Sequence, residues 1–195
     1  MKYPYQKLVL PSCLKGEING RLNKTLLERV ATGGKMIKPA ADAFNALYAE
    51  ALKQGVTLRN IGDYRSYEGQ LQMFLDRYEI AKPNDPRLGK PKTVTRKFEG
   101  KVWILKKGKA PSAAPDPTGK SGSNHGWGLA IDLAVEGKGG NIVGMASAKK
   151  GLKFMCETAP KYGFFLQGDN PKSPEFEAWH WQFCLGDDTP PALQV

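Results

Sequence analysis

Leu129-Ala130-Ile131-Asp132-Leu133-Ala134-Val135 is the stretch on which the fold reading turns. Aliphatic side chains recur at every second position, the period of a strand whose successive residues face opposite ways. Leu129, Ile131, Leu133 and Val135 therefore share one face, and Asp132 stands on the other between Ala130 and Ala134. The two small neighbours leave room beside that carboxylate.

Working outward, Phe44, Leu47, Tyr48, Ala51 and Leu52 fall on one helical face after Pro39, and Gly55 stands where a C-terminal cap belongs. Val56 to Ile61 reads as a strand. Ser66 can cap a second helix whose stripe is Leu71, Phe74, Leu75 and Tyr78, which puts Asp63-Tyr64-Arg65 at a strand-to-helix junction. Downstream, a helix over Ala148 to Ala159 turns Leu152, Met155, Cys156 and Ala159 inward and ends before Gly163, a residue suited to the left-handed cap. A last strand is expected over Phe176 to Phe183. Short strands mixed with helices in this order predict a single α+β domain over 1–195, with a small, largely antiparallel sheet flanked by helices.

The composition shifts in one place. Lys82 to Lys120 holds eleven Lys or Arg against Asp85, Glu99 and Asp116, a balance of +8 in a chain of net charge +10, together with six of its prolines. This stretch reads as a basic insertion or arm. Val94–Phe98 and Lys101–Leu105 flank Glu99-Gly100, a two-residue turn that predicts a β-hairpin. Such a charge run is either a solvated surface or an anchor for a polyanion, anionic wall polymer or nucleic-acid phosphate. No recognised nucleic-acid motif supports the latter.

With 41% apolar and 25% charged residues the chain is of ordinary globular composition. No apolar run approaches the ~20 residues of a membrane span, and Met1 to Tyr5 leads into no signal-peptide core, so a monomer without a standard export signal is expected. Cys13, Cys156 and Cys184 are scattered, odd in number and without paired ligand spacing, which excludes a disulfide framework and a cysteine zinc cluster.

Chemistry concentrates on the two histidines of the chain, His125 and His180, each with an acid near it, Asp132 and Glu177. Two imidazoles and a carboxylate make a three-ligand zinc site whose fourth position stays open, and the remaining carboxylate is free to act as a base. Seven extended residue steps would separate His125 from Asp132 by roughly 23 Å. The chain must turn between them, and Gly126 and Gly128 supply the freedom for it. Glu177 and His180, three apart, require a bend near Ala178 to share a face.

Ser123-Asn124-His125-Gly126-Trp127-Gly128-Leu129-Ala130-Ile131-Asp132 resembles the SxHxxGxAxD signature of the zinc D-alanyl-D-alanine carboxypeptidase and dipeptidase family, and Glu177-Ala178-Trp179-His180 resembles its ExWH signature. Asp63-Tyr64-Arg65-Ser66-Tyr67-Glu68-Gly69-Gln70 is similar to the family's arginine motif, and Lys161-Tyr162-Gly163-Phe164 to the turn before its final strand. The resemblance spans roughly 39–183. It implies a Hedgehog/D,D-peptidase-like fold and a peptidase of peptidoglycan stem peptides. One zinc ion would be held by His125, Asp132 and His180, Glu177 would be the catalytic carboxylate, and Arg65 would face the scissile carbonyl. Ser123, Tyr64 and Trp127 become substrate contacts on this reading, although Ser123 can equally cap a turn and the tryptophans suit core and cleft wall. The bond cleaved is D-Ala-D-Ala in the simplest case and L-Ala-D-Glu in the alternative. Lack of an export signal suggests a phage endolysin, released from the cytoplasm to the wall, or a cytoplasmic dipeptidase. A silent wall-binding module is the reading from another class, and the intact Glu177 argues against it.

Overall fold

The computed structural model describes residues 1–120, 122–173 and 176–194. Strands β1 (Leu27–Arg29) and β2 (Lys35–Ile37) form a small hairpin ahead of helix α1 (Lys38–Lys53). Pro39 occupies the first turn of α1, where a missing N–H costs nothing. Phe44 and Leu47 are fully buried along its inner face, each contributing about 1.5–3 kcal/mol of apolar burial. Gly55 just beyond takes φ +65°, which stops the helix. Leu52, expected in the stripe, is 47% exposed because the buried arc, built largely of alanines, ends at Ala51.

Strand β3 (Leu58–Gly62) then leads into α2 (Tyr67–Arg77). The Ser66 hydroxyl accepts the Gly69 N–H at 3.1 Å, a cap worth about 1 kcal/mol. The inner face of α2 is Gln70 and Phe74, while Leu75 is 39% exposed. Tyr78 lies beyond the helix, at the start of β4 (Tyr78–Ile80). That strand joins β5 (Thr95–Phe98) and β6 (Lys101–Leu105) in a three-stranded antiparallel sheet of order β4-β6-β5. Glu99 and Gly100 both have positive φ at the tip of the hairpin, the backbone of a type I′ turn. Phe74, Tyr78 and Phe98 make a separate apolar cluster that fastens this sheet to α2.

The main sheet is built around β7 (Ala130–Glu136). β3 lies along one edge of it; along the other, β10 (His180–Phe183) pairs with its first half and β8 (Ile142–Gly144) with its second. β9 (Phe164–Leu166) closes the order β3-β7-β10-β9, and every one of these pairings is antiparallel. Helix α3 (Lys149–Thr158) packs Leu152, Phe154 and Met155 into the main core, and Gly163 adopts φ +80° after it. The molecule is thus an α+β fold with a small antiparallel sheet. The final strand is shorter than expected: Glu177 to Trp179 form a turn, closed by the His180 N–H donating to the Glu177 carbonyl at 3.1 Å. Among the described residues no helix is long and apolar enough to cross a membrane.

Candidate active site

His125 sits in a single 3-10 turn, Asn124–Trp127. The Ser123 hydroxyl accepts the His125 N–H at 3.4 Å, so Ser123 caps this turn. Gly128 ends it at φ +64°, a conformation that costs an L side chain. Gly126 is required for a different reason than backbone freedom: a Cβ there would lie 2.1 Å from Asn19 Oδ1 and 3.0 Å from the Gly20 nitrogen. The N-terminal segment presses against the turn at that point, with the Gly20 N–H donating to the Gly126 carbonyl at 2.8 Å.

The turn brings the imidazole back over β7, where His125 Nε2 lies 3.3 Å from Asp132 Oδ2. From β10, His180 stands opposite Asp132 in register, with its Nδ1 3.0 Å from Oδ1. A bulge in β3 sets Gly62 opposite Asp132 on the other side, and a Cβ on Gly62 would meet Oδ2 at 2.8 Å. The carboxylate therefore occupies space that only glycine leaves. One donor atom from each of His125, Asp132 and His180 lies within 4.8 Å of the other two.

The electrostatics keep His125 and Asp132 in the forms a metal needs. Burial lowers the pKa of His125 and favours its neutral imidazole, outweighing the pull of Asp132. Burial pushes Asp132 upward, but hydrogen bonds from His125 and His180 outweigh it and hold the carboxyl well below the usual range. His125 Nδ1 lies 2.9 Å from the Asp63 carbonyl oxygen, an acceptor only. With a metal held, the proton would therefore belong on Nδ1 and the Nε2 lone pair would be the ligand, whereas in the metal-free site Nε2 is the nitrogen that pairs with Asp132. Asp63 is fixed in turn by the Lys35 N–H at 2.9 Å and Asn60 Nδ2 at 3.0 Å. Imidazole nitrogens and a carboxylate are donors that suit zinc, and around a tetrahedral ion such atoms stand about 3.3 Å apart. The donor set fits.

Arg65 enters from the junction before α2, its N–H donating to the His125 carbonyl at 3.1 Å. Burial lowers its pKa, partly offset by the negative charges of Asp132, Asp63 and Glu177, and the guanidinium donates through Nη1 to Gln70 Oε1 at 3.0 Å. Burial raises the pKa of Glu177, on the turn before β10, and outweighs the opposing influence of the neighbouring His180. Tyr64 and Trp127 pack against the main core, and the Tyr64 hydroxyl is engaged by the Leu22 backbone. Arg65, Ser66, Gln70, Ser123, Pro115 and Asp116 line a small cavity beside the site. Sequence reasoning missed Asn19, Asn60 and Gln70 as supports. Only Gln70 carried a signal, as the last residue of the arginine motif.

The profile of the VanY D-alanyl-D-alanine carboxypeptidase family matches residues 33–187, which include Arg65, His125, Asp132, Glu177 and His180. The chain belongs to that family. Among curated proteins it is 25% identical over 150 residues to the putative carboxypeptidase YodJ of Bacillus subtilis (strain 168), covering 75% of this chain and 45% of that one. This VanY-family chain thus spans about half the length of its curated relative. Two solved structures share its fold. The vancomycin-resistance D,D-pentapeptidase VanY of the VanB-type cassette, as a variant in complex with Zn(II), aligns at TM-score 0.51 and 17% identity over 80% of this chain and 77% of its own. VanYB in complex with D-alanine-D-alanine aligns at TM-score 0.52 and 17% identity over 81% and 76%.

Proposed function

We propose that the protein is a zinc-dependent carboxypeptidase that removes the terminal D-alanine from D-Ala-D-Ala ends of peptidoglycan stem peptides. The observation that carries this reading is the convergence of His125 Nε2, Asp132 and His180 Nδ1 from a turn and two paired strands onto one point. Family membership and the zinc and D-Ala-D-Ala complexes of the two similar structures support it. His125, Asp132 and His180 would hold the ion, and zinc supplies a Lewis acid that polarises a carbonyl and lowers the pKa of a water to ~7.

The remaining work falls to the chain's own residues. Glu177 takes a proton from the attacking water as its oxygen bonds to the carbonyl carbon. It passes that proton to the amine nitrogen as the C–N bond breaks, so the products are a shortened peptide and free D-alanine. Burial suits Glu177 to both tasks, because a carboxylate of raised pKa is the stronger base. Arg65, half-buried and already facing negative charge, stabilises the oxyanion that forms on the carbonyl. Mass spectrometry of pentapeptide muropeptides, digested with and without a chelator, tests the reading. Loss of one alanine that the chelator abolishes is expected. Cleavage after L-Ala would move the protein to the endopeptidase alternative, and intact peptides would leave a silent wall-binding module.

A further inference from the structure

Residues 110–116 run past the site as an irregular strap that belongs to no sheet. Its backbone is held by side chains. Arg77 Nη1 donates to the carbonyls of Ala110 at 3.4 Å and Pro111 at 3.1 Å. The Tyr78 hydroxyl donates to the Ser112 carbonyl at 3.1 Å and accepts the Ser112 N–H at 3.2 Å. Arg96 Nε, from the hairpin of the basic arm, donates to the same Ser112 carbonyl at 3.2 Å. Ala114 packs on the Phe74, Tyr78 and Phe98 cluster, and Pro115 and Asp116 then wall the cavity that Arg65 lines. The strap is therefore seated on α2 and on the arm's sheet, and it ends beside Arg65.

One side chain connects the two. Gln70, 6% exposed, accepts from Arg65 Nη1 at 3.0 Å through Oε1 and donates to the Ala113 carbonyl at 2.7 Å through Nε2. A guanidinium only donates and a carbonyl only accepts, so an amide is the side chain that can satisfy both at once. Leucine would satisfy neither, and an ionised glutamate would satisfy the guanidinium and leave the carbonyl without a donor. We propose that Gln70 is a positioning residue that locks the Arg65 guanidinium to the 110–116 strap, so that the seat of the basic arm on α2 sets the orientation of Arg65. The inference rests on the reading of Arg65 as the group that faces the reacting carbonyl. It also gives the arm a role in the chemistry, since Arg96 holds the strap that Gln70 ties to Arg65.

The test is a double-mutant cycle read on Arg65 itself, by ¹⁵N NMR of guanidinium rotation, alongside kcat and KM of the zinc-loaded enzyme. Gln70→Leu should speed Arg65 rotation at least tenfold and lower kcat by tenfold or more, with KM within threefold of wild type. Tyr78→Phe, which touches neither Arg65 nor substrate, should speed the rotation about threefold in the wild-type background and change nothing further in the Gln70→Leu background. Unchanged rotation in Gln70→Leu, or multiplicative effects of the two substitutions, would overturn the proposal. Should Gln70→Leu fail to fold, Gln70→Glu serves in its place: rotation stays slow but no longer responds to Tyr78→Phe, and a persistent response overturns the coupling. The rotation measurement does not require turnover. A wild type that releases no D-alanine therefore refutes the carboxypeptidase reading and leaves this result to stand or fall separately.

Discussion

His180 pairs directly across from Asp132 in the β10/β7 register, with His180 Nδ1 3.0 Å from Asp132 Oδ1. Backbone pairing alone thus sets two of the three donors side by side, and only His125 depends on a turn. Asp132 gains most from this. Its carboxyl is held below the usual range in the fold, while an unfolded chain has the ordinary value of ~3.9, so at mildly acid pH the unfolded chain binds the extra proton. The stabilisation is full above about pH 5 and is lost progressively as pH falls through the unfolded-state value toward the lower folded-state one. Thermal melts of the metal-free protein should therefore lose stability between pH 5 and 3 more steeply than those of Asp132→Asn. Equal slopes would show that Asp132 is not held in this way.

Glu177→Gln keeps the three donors and removes a proton acceptor. Zinc content should match wild type while kcat falls by about 10²- to 10⁴-fold. Activity within tenfold of wild type at equal zinc content would place the base elsewhere. The carboxyl of Glu177 should also titrate above the ordinary glutamate range in metal-free protein, as followed by ¹³C NMR, because burial disfavours its charged form.

Two glycines give opposite outcomes on substitution. Gly62→Ala pushes a methyl group to 2.8 Å from Asp132 Oδ2, so zinc affinity should fall by tenfold or more with a modest change in melting temperature. Gly126→Ala collides with Asn19 and the Gly20 backbone, and overpacking of this kind costs about 1–3 kcal/mol, read as a lower denaturant midpoint. Equal zinc affinity in Gly62→Ala would mean that the carboxylate has room to move.

The basic arm is less available than its charge suggests. Arg87 is paired with Asp85 and Glu79, and Lys106 Nζ caps the end of α2 by donating to the carbonyls of Leu75 at 2.9 Å and Asp76 at 3.3 Å. Lys97, Lys101, Lys107 and Lys109 are exposed and are the lysines to reverse. If the arm anchors the protein to anionic wall polymer, their reversal should weaken sedimentation with purified walls at low salt, as should 1 M salt on the wild type, where the Debye length is ~3 Å. Unaltered sedimentation of the reversed variant would reduce these lysines to a solvated surface.

Thiol chemistry should be confined to one site. Burial pushes Cys156 up to about 11 and Cys184 up to about 12, whereas Cys13 is exposed. Alkylation of the native protein at pH 8, followed by intact mass, should give one adduct at Cys13, and unfolding should give all three.

The sheet and the donors were legible because their signals are local. Alternation over Leu129–Val135 marks a strand, although Ala130 and Ala134 are buried on its second face as well, and Glu99-Gly100 marks a hairpin whose two positive φ values the turn type demands. The bend expected near Ala178 is present as a turn, but the strand expected from Phe176 begins at His180, because aromatic residues have β propensity whether or not a partner strand lies beside them. Gly126 looked like a hinge, and the collision that requires it comes from Asn19, more than a hundred residues earlier. Asn60 and Gln70 each join a residue near them in sequence, Asp63 and Arg65, to a distant backbone carbonyl, of Gly33 and Ala113, and neither periodicity nor capping chemistry marks that second partner.

Anomalous scattering from a crystal of the zinc-loaded protein, collected at the zinc edge, tests the central claim most directly. The account predicts one peak per chain, about 2.0–2.2 Å from His125 Nε2, an Asp132 oxygen and His180 Nδ1. A principal zinc peak that leaves any of these three side chains unligated, or that engages His180 through Nε2, would contradict it.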